Sequence, residues 1–205
     1  MHTLHPTLIQ KQYKSGEIEI QVKIQQLPTS DLYPFLDPQR FNSYCREGCP
    51  NHSKKWTCPP YCPPFEEYSQ YNPFTCLILF CCKVNQFPQA EGKDRSLEVY
   101  NFTKETLQAW LREQETKTGG KMIAANSCEI CKTCSVEHNN PCHFPDQHRY
   151  NLVAFGFNVN SILETYFDHK IQWSEANKEP EYVTSVGALL FDRSVPEELL
   201  SDLIR

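Results

Sequence analysis

The sequence predicts an α+β protein with a small mixed sheet, covering helices and two cysteine-rich metal-binding loops. Three observations support this class: apolar stretches of strand length, amphipathic stretches of helix length, and eleven cysteines gathered mainly in two groups. Both cysteine groups lie between stretches that belong to the same predicted core. We therefore predict a single domain over residues 1–205, with cysteine-rich insertions at about 45–62 and 128–145.

The first half of the chain predicts two strands separated by an irregular region. In Glu17–Ile24, isoleucine and valine alternate with polar residues, which is the pattern of a half-buried strand. Prolines interrupt Leu27–Phe41, which we predict to be a loop with at most a helical turn. Phe74–Val84 is continuously apolar and is predicted to be a central strand buried on both faces. Three cysteines of this strand are predicted to be core thiols, because buried cysteine behaves as a small hydrophobe: Cys76, Cys81 and Cys82.

The second half predicts helices and a further strand. Ser96–Lys117 carries an apolar stripe at helical spacing, predicted to face the core, and two glycines follow it. Arg149–Phe157 is compatible with helix or strand, whereas Asn158–Phe167 is predicted to be helical. Tyr182–Phe191 is predicted to be a strand beside the central one, and Pro196–Ile204 a short terminal helix.

Charge and hydropathy exclude several classes of protein. The net charge is −5, which gives no general electrostatic basis for binding nucleic acid. No stretch approaches the roughly 20 apolar residues that a membrane span requires, and residues 1–12 lack the apolar core of a secretory signal. We therefore expect a cytoplasmic protein, in which thiols stay reduced and eleven cysteines favour metal binding over disulfides.

The strongest motif is the group Cys128, Cys131, Cys134 and Cys142. Two residues separate each of the first three cysteines from the next, as in the cysteine runs that hold iron–sulfur clusters in bacterial ferredoxins. Such spacing lets successive thiolates reach different irons of one cluster. The fourth thiolate is predicted to come from Cys142, with prolines nearby to stiffen the chain. We predict a [4Fe–4S] cluster here. Zinc is the main alternative, although its sites usually consist of two separate pairs.

The other group is Cys45, Cys49, Cys58 and Cys62, with three residues inside each pair. Two equal pairs can hold zinc or a second [4Fe–4S] cluster, and we predict the cluster, with zinc as the alternative. Prolines that follow three of these cysteines predict a rigid, irregular loop rather than helix or strand. We predict that Cys62 completes a closed site of four thiolates.

Both motifs together resemble a family of cysteine-rich proteins described as predicted metal-binding and common in anaerobic bacteria and archaea. The resemblance is carried by Cys45…Cys49-Pro, by Trp56-Thr-Cys58-Pro-Pro-Tyr, and by the second motif up to Pro145, and it spans about Cys45–Phe167. It implies iron–sulfur binding and no settled reaction. Cys62 fits the family pattern least, and a site without it would leave one iron open.

These observations favour a redox module that relays electrons between two clusters and a partner enzyme in anaerobic metabolism. The alternative is an enzyme whose open cluster iron acts on a small sulfur-, metal- or corrinoid-linked substrate. A second alternative is a zinc-stabilised interaction protein. Nucleophile elbow, P-loop, dinucleotide fingerprint and H-E-x-x-H motifs are missing from the sequence. The sequence therefore assigns no catalytic residue, and whether the chain is an enzyme stays open.

Overall fold

A computed structural model describes residues 6–88, 94–174 and 178–196, and the backbone of residues 2–3. Its centre is a six-stranded sheet in the order β1-β3-β4-β6-β5, in which β2 also pairs with β3. The strands are β1 (His2–Thr3), β2 (Thr7–Tyr13), β3 (Gly16–Pro28), β4 (Phe74–Lys83), β5 (Lys121–Ile123) and β6 (Tyr182–Phe191).

Helices cover both faces of this sheet, so the predicted α+β class is confirmed. They are α1 (Pro38–Gly48), α2 (Phe65–Ser69), α3 (Arg95–Thr118), α4 (Leu152–Phe155) and α5 (Val159–Phe167). Short 3-10 turns form at Thr29–Phe35, Val84–Gln86 and Ser135–His138. The named strands pair antiparallel, and parallel pairing occurs at an isolated bridge between Ala124 and Asn151. The sequence predicted a mixed sheet, but all pairs of named strands are antiparallel, and β2 and β3 are joined by a tight turn.

Burial follows the patterns that predicted the two sheet-forming segments. The apolar residues of β3 alternate with half-exposed polar ones, and β4 is buried on both faces from Thr75 to Phe80. On one face α3 packs with Leu107 and Leu111 fully buried, and the other face is covered mainly by α2, α4 and α5. Gly187 of β6 permits the close approach of α3, because an added Cβ would lie 2.5 Å from Leu111 Cδ1.

Several predicted elements are confirmed with small changes of boundary. The strand at Tyr182–Phe191 pairs with β4 along its whole length, and the helices α3 and α5 form where expected. Helix α3 ends at Gly119, whose φ of 71° is left-handed and suits glycine. Cys76 and Cys82 are buried core thiols, and Cys81 is half-buried. Apart from Pro196, the predicted terminal helix lies outside the described residues.

Helix α1 corrects the prediction of a wholly irregular first cysteine loop. Pro38 was expected to interrupt structure, but it occupies the first turn, where a missing N–H costs nothing. The Asp37 side chain caps this turn by accepting from the Arg40 N–H at 3.0 Å. The helix then continues to Gly48 and so carries Cys45.

Among the described residues, no helix is long and apolar enough to cross a membrane.

Candidate metal centre

The cysteines of the C-terminal group surround one small cavity, here called the four-cysteine cavity. Its wall contains Cys128, Cys131, Cys134 and Cys142, and it is completed by six other residues: Trp56, Thr57, Ile130, Ser135, Phe144 and His148. All four thiols are half-buried. The structure therefore brings together the four cysteines that the sequence placed in one group.

Short turns position the thiols of the four-cysteine cavity. Cys134 precedes the 3-10 turn Ser135–His138, which ends at Asn139 in the left-handed conformation. Nδ1 of His148 lies 3.4 Å from Cys142 Sγ, and its Nε2 lies 3.1 Å from the Tyr150 hydroxyl. Burial lowers the pKa of His148, so its ring is neutral at neutral pH. The neutral ring can donate to the sulfur through Nδ1 while its Nε2 accepts from Tyr150.

The cysteines of the other group line a second cavity, here called the three-cysteine cavity. Cys45, Cys49 and Cys58 contribute to its wall, together with eight other residues: Asn51, His52, Pro59, Asn126, Ser127, Asn151, Val153 and Ala154. Cys45 lies in α1, and Cys49 caps the end of that helix by donating its N–H to the Cys45 carbonyl at 3.0 Å. Cys58 is the most buried of the three.

Cys62 interacts electrostatically with Cys58 but does not share this cavity. It is not among the residues that line the three-cysteine cavity, and its Sγ contacts the Pro63 carbonyl at 3.6 Å. Two prolines lead the chain from Cys62 into α2, whose first residue, Phe65, is buried in the core. Cys62 packs against that core cluster, and burial raises its pKa. The structure thus gathers three of the four predicted ligands of the first group around one cavity.

Burial in the protein raises the pKa of thiols in both cavities. Burial raises the pKa of Cys58 to about 11, and it also raises the pKa of Cys45 and of Cys128. These three thiols therefore hold their protons at neutral pH in the free protein. Because metals bind the thiolate, binding there must release protons and become tighter as the pH rises.

The donor set of both cavities suits a thiophilic metal group. Apart from the His148 and His52 rings, every strong metal donor among the side chains that line the two cavities is a cysteine sulfur, and neither lining includes a carboxylate. Sulfur donors favour zinc or iron–sulfur clusters over magnesium or calcium. In residues 6–88, 94–174 and 178–196, no three His, Cys, Asp or Glu side chains are grouped tightly enough to hold one metal ion.

The two cavities share a thin wall. On one loop, Thr57 lines the four-cysteine cavity and the next residue, Cys58, lines the three-cysteine cavity. On the other loop, Cys128 lines the four-cysteine cavity and the preceding residue, Ser127, lines the three-cysteine cavity. The Cys128 N–H donates to Thr57 Oγ1 at 3.2 Å, and Lys55 Nζ donates to the Cys128 carbonyl at 2.6 Å. Consecutive α-carbons are about 3.8 Å apart, so the sites are neighbours.

A much larger cavity adjoins the three-cysteine cavity, and we call it the large cavity. Its volume is about 760 Å³, and Asn126, Asn151 and Val153 line both cavities. Leu97 and Tyr100 of α3 also line it, which corrects the prediction that the whole apolar stripe of that helix faces the core. No sequence signal indicated this cavity, because its wall comes from segments far apart in the chain.

Comparisons with known proteins identify the family. Neither a search of curated proteins nor a search of solved structures found a match. A family model described as "Predicted metal-binding protein (DUF2284)" matches residues 36–191, a range that contains both cysteine groups and most of the chain. The cavities lined by cysteine lie within this range. The chain therefore belongs to DUF2284, a family of predicted metal-binding proteins.

Proposed function

We propose that this protein is a two-centre iron–sulfur redox protein in which electrons pass between neighbouring clusters. Cys128, Cys131, Cys134 and Cys142 would hold one [4Fe–4S] cluster, and a second would be held by three thiols of the other group: Cys45, Cys49 and Cys58. The observation that carries the proposal is the thin wall between the two cysteine-lined cavities. A partner protein would supply or remove the electrons.

The spacing of the thiols supports clusters rather than zinc. In a tetrahedral zinc site, four sulfurs at 2.3 Å from the metal lie only about 3.8 Å from each other. A cubane instead takes one thiolate on each of several irons, so its sulfurs stand farther apart. Cys128, Cys131 and Cys134 follow one another at the spacing of cluster-binding runs, and with Cys142 they surround a common cavity. This combination fits the cluster better.

Electron transfer between the centres is supported by how firmly the two loops are joined. Trp56 Nε1 donates to Ser135 Oγ and to the Asn140 carbonyl, both at 3.2 Å. Asn51 Nδ2 donates to Ser127 Oγ at 3.3 Å. These bonds tie the loops together at points 76 to 84 residues apart in sequence. A fixed, short separation between two redox centres is what rapid transfer between them requires.

A second candidate function follows from the position of Cys62 outside the three-cysteine cavity. A cubane held by three thiolates leaves one iron without a protein thiolate, and an open iron supplies Lewis-acid or sulfur chemistry. The large cavity borders this site. We therefore infer that the three-cysteine centre can serve an enzyme that acts on a small molecule, with the four-cysteine centre as its electron supply.

Metal analysis of protein purified without oxygen tests the proposal. We expect about eight iron and eight sulfide per chain, because each of the two sites would hold a cubane. The reduced protein should give electron paramagnetic resonance signals broadened by magnetic interaction between neighbouring centres. Stoichiometric zinc without sulfide would contradict the iron–sulfur proposal, and two sharp, independent signals would contradict the short separation.

Substitution of the pair Cys58 and Cys62 tests which thiol is the ligand. Cys58→Ala should remove about four iron per chain, since its sulfur belongs to the three-cysteine cavity. Cys62→Ala should keep the full iron content and cost only packing energy of about 1 kcal/mol. Iron analysis of the two variants, prepared side by side, provides the comparison. Loss of iron in the Cys62→Ala protein would show that Cys62 is a ligand and would support the closed four-thiolate site that the sequence predicts.

A further inference from the structure

We propose that the large cavity binds an uncharged, largely apolar organic molecule with a single hydrogen-bonding group, next to the three-cysteine centre. The inference rests on the proposed function only for the identity of that neighbouring centre. The cavity itself is argued from its size, its apolar wall, one unpaired hydroxyl and the charge of its lining.

Size and apolar surface indicate a small-molecule ligand. A volume of about 760 Å³ lies in the range of cavities that bind small organic ligands. Trp173 and Leu97 line the cavity and are 68% and 54% exposed, and the aromatic rings of Phe41 and Tyr44 stand beside it. A molecule lying against these side chains would remove apolar surface from water, which is favourable.

The hydroxyl of Ser185 provides a specific polar contact. Ser185 lines the cavity from β6 and is only 4% exposed, and its Oγ has no hydrogen-bond partner among the residues that the structure describes. The neighbouring Thr184 hydroxyl, in contrast, is already paired with His169 Nε2 at 2.8 Å. An unpaired buried hydroxyl costs free energy that a ligand group can recover by bonding to it. One donor or acceptor on the ligand would satisfy Ser185.

The charge of the lining excludes anionic ligands. The described residues of the wall include no lysine, arginine or histidine that could pair with a phosphate or carboxylate. Asp94 supplies a carboxylate, which caps α3 by accepting from Ser96 Oγ at 2.6 Å and from the Leu97 N–H at 3.1 Å. A second negative charge in this cavity would be repelled and would lack a partner. The described wall therefore favours an uncharged ligand over an anionic one.

The cavity leads towards the three-cysteine centre past side chains that are held in place. Asn151 Oδ1 accepts from the Ala154 N–H at 2.8 Å, and Asn126 Nδ2 donates to Glu129 Oε1 at 2.7 Å. Both residues, with Val153, line the two cavities at once. A ligand that fills the large cavity thus lies against the wall of the metal site and would change the surroundings of a cluster bound there.

Two fluorescent probes test the size and charge of the site. N-phenyl-1-naphthylamine is uncharged and has one N–H, and 8-anilinonaphthalene-1-sulfonate has the same rings with an added negative charge. We expect saturable binding of one naphthylamine per chain of anaerobically purified, metal-containing protein, with quenching of Trp173. The sulfonate should bind at least about tenfold more weakly. Equal affinity for the two probes, or no saturable binding of the first, would overturn the proposed site.

Substitutions in the wall of the large cavity test whether naphthylamine binds there. Ser185→Ala should weaken naphthylamine binding about two- to tenfold and yet raise the midpoint of thermal unfolding by about 2 to 4 °C, because it removes an unpaired buried hydroxyl. The exposed Ser30, outside the cavity, provides the control Ser30→Ala, which should change neither value. Val153→Trp should abolish binding by filling the cavity, whereas Leu8→Trp, at an exposed position of β2, should not. Unchanged affinity in both cavity variants would contradict the assignment.

The metal centre provides an independent readout. Naphthylamine should shift the electron paramagnetic resonance signal that is lost in Cys58→Ala protein, and it should leave the signal of the four-cysteine centre in place. Saturable binding to protein that contains zinc and no sulfide would support the cavity and overturn the iron–sulfur proposal. Full iron and sulfide without saturable binding would overturn the cavity alone.

Discussion

Replacing Cys134 by alanine will remove the cluster of the four-cysteine cavity, about four iron and four sulfide per chain. Cys134 is one of the four thiols that line this cavity, and the 3-10 turn Ser135–His138 begins directly after it. Metal binding orders a loop that has little apolar core of its own. We therefore also expect residues 128–145 to become easier to cleave with protease. Iron analysis and limited proteolysis under anaerobic conditions measure the two effects.

Cys81→Ala is the matched control for this loss. Cys81 is a free, half-buried thiol on β4, packed against the sheet core and outside both cysteine-lined cavities. Burial raises its pKa to about 11, as expected of a core thiol. The variant should keep its full iron content and lose about 1 kcal/mol of packing energy. Loss of iron from the Cys81→Ala protein, or full iron in the Cys134→Ala protein, would contradict the assignment of the ligands.

Gly156→Ala will reduce the free energy of unfolding by about 3 kcal/mol, because strain and steric clash combine at this residue. Gly156 follows α4 with a φ of 98°, and an added Cβ would lie 2.4 Å from the Cα of Pro38. Its carbonyl also accepts from the Asp37 N–H at 2.9 Å, which joins α4 to the start of α1. Helix α1 carries Cys45, so we expect iron to be lost from the three-cysteine site as well. Thermal unfolding and iron analysis measure both effects.

Gly48 provides the control within the same helix. It is the last residue of α1, and an added Cβ there would meet nothing within 4 Å. Alanine is the better helix former, so Gly48→Ala should leave stability unchanged or raise it by about 0.5 kcal/mol. Its iron content should equal that of the unaltered protein. A Gly156→Ala protein as stable as the Gly48→Ala protein would show that α1 and α4 do not need their close contact.

The sequence by itself determined the central strand, the long helix and the run of three cysteines at Cys128, Cys131 and Cys134. In β4 and α3 the pattern of apolar residues follows from the local geometry of strand and helix, so it can be recognised without the rest of the chain. The run Cys128, Cys131 and Cys134 is also local, because two intervening residues limit how far apart the sulfurs can stand. Local geometry explains why these predictions agree with the structure.

Only the tertiary structure decided which thiols meet and what lies beside them. Cys58 and Cys62 have the same spacing as Cys45 and Cys49, yet Cys62 packs against the core and does not line the three-cysteine cavity. The contact of Thr57 with Cys128 joins residues 71 positions apart. The large cavity likewise forms between α1, α3, β6 and the segments around α4 and α5. Such long-range placement depends on how buried side chains fill the core, so it cannot be predicted from the spacing of residues in the sequence.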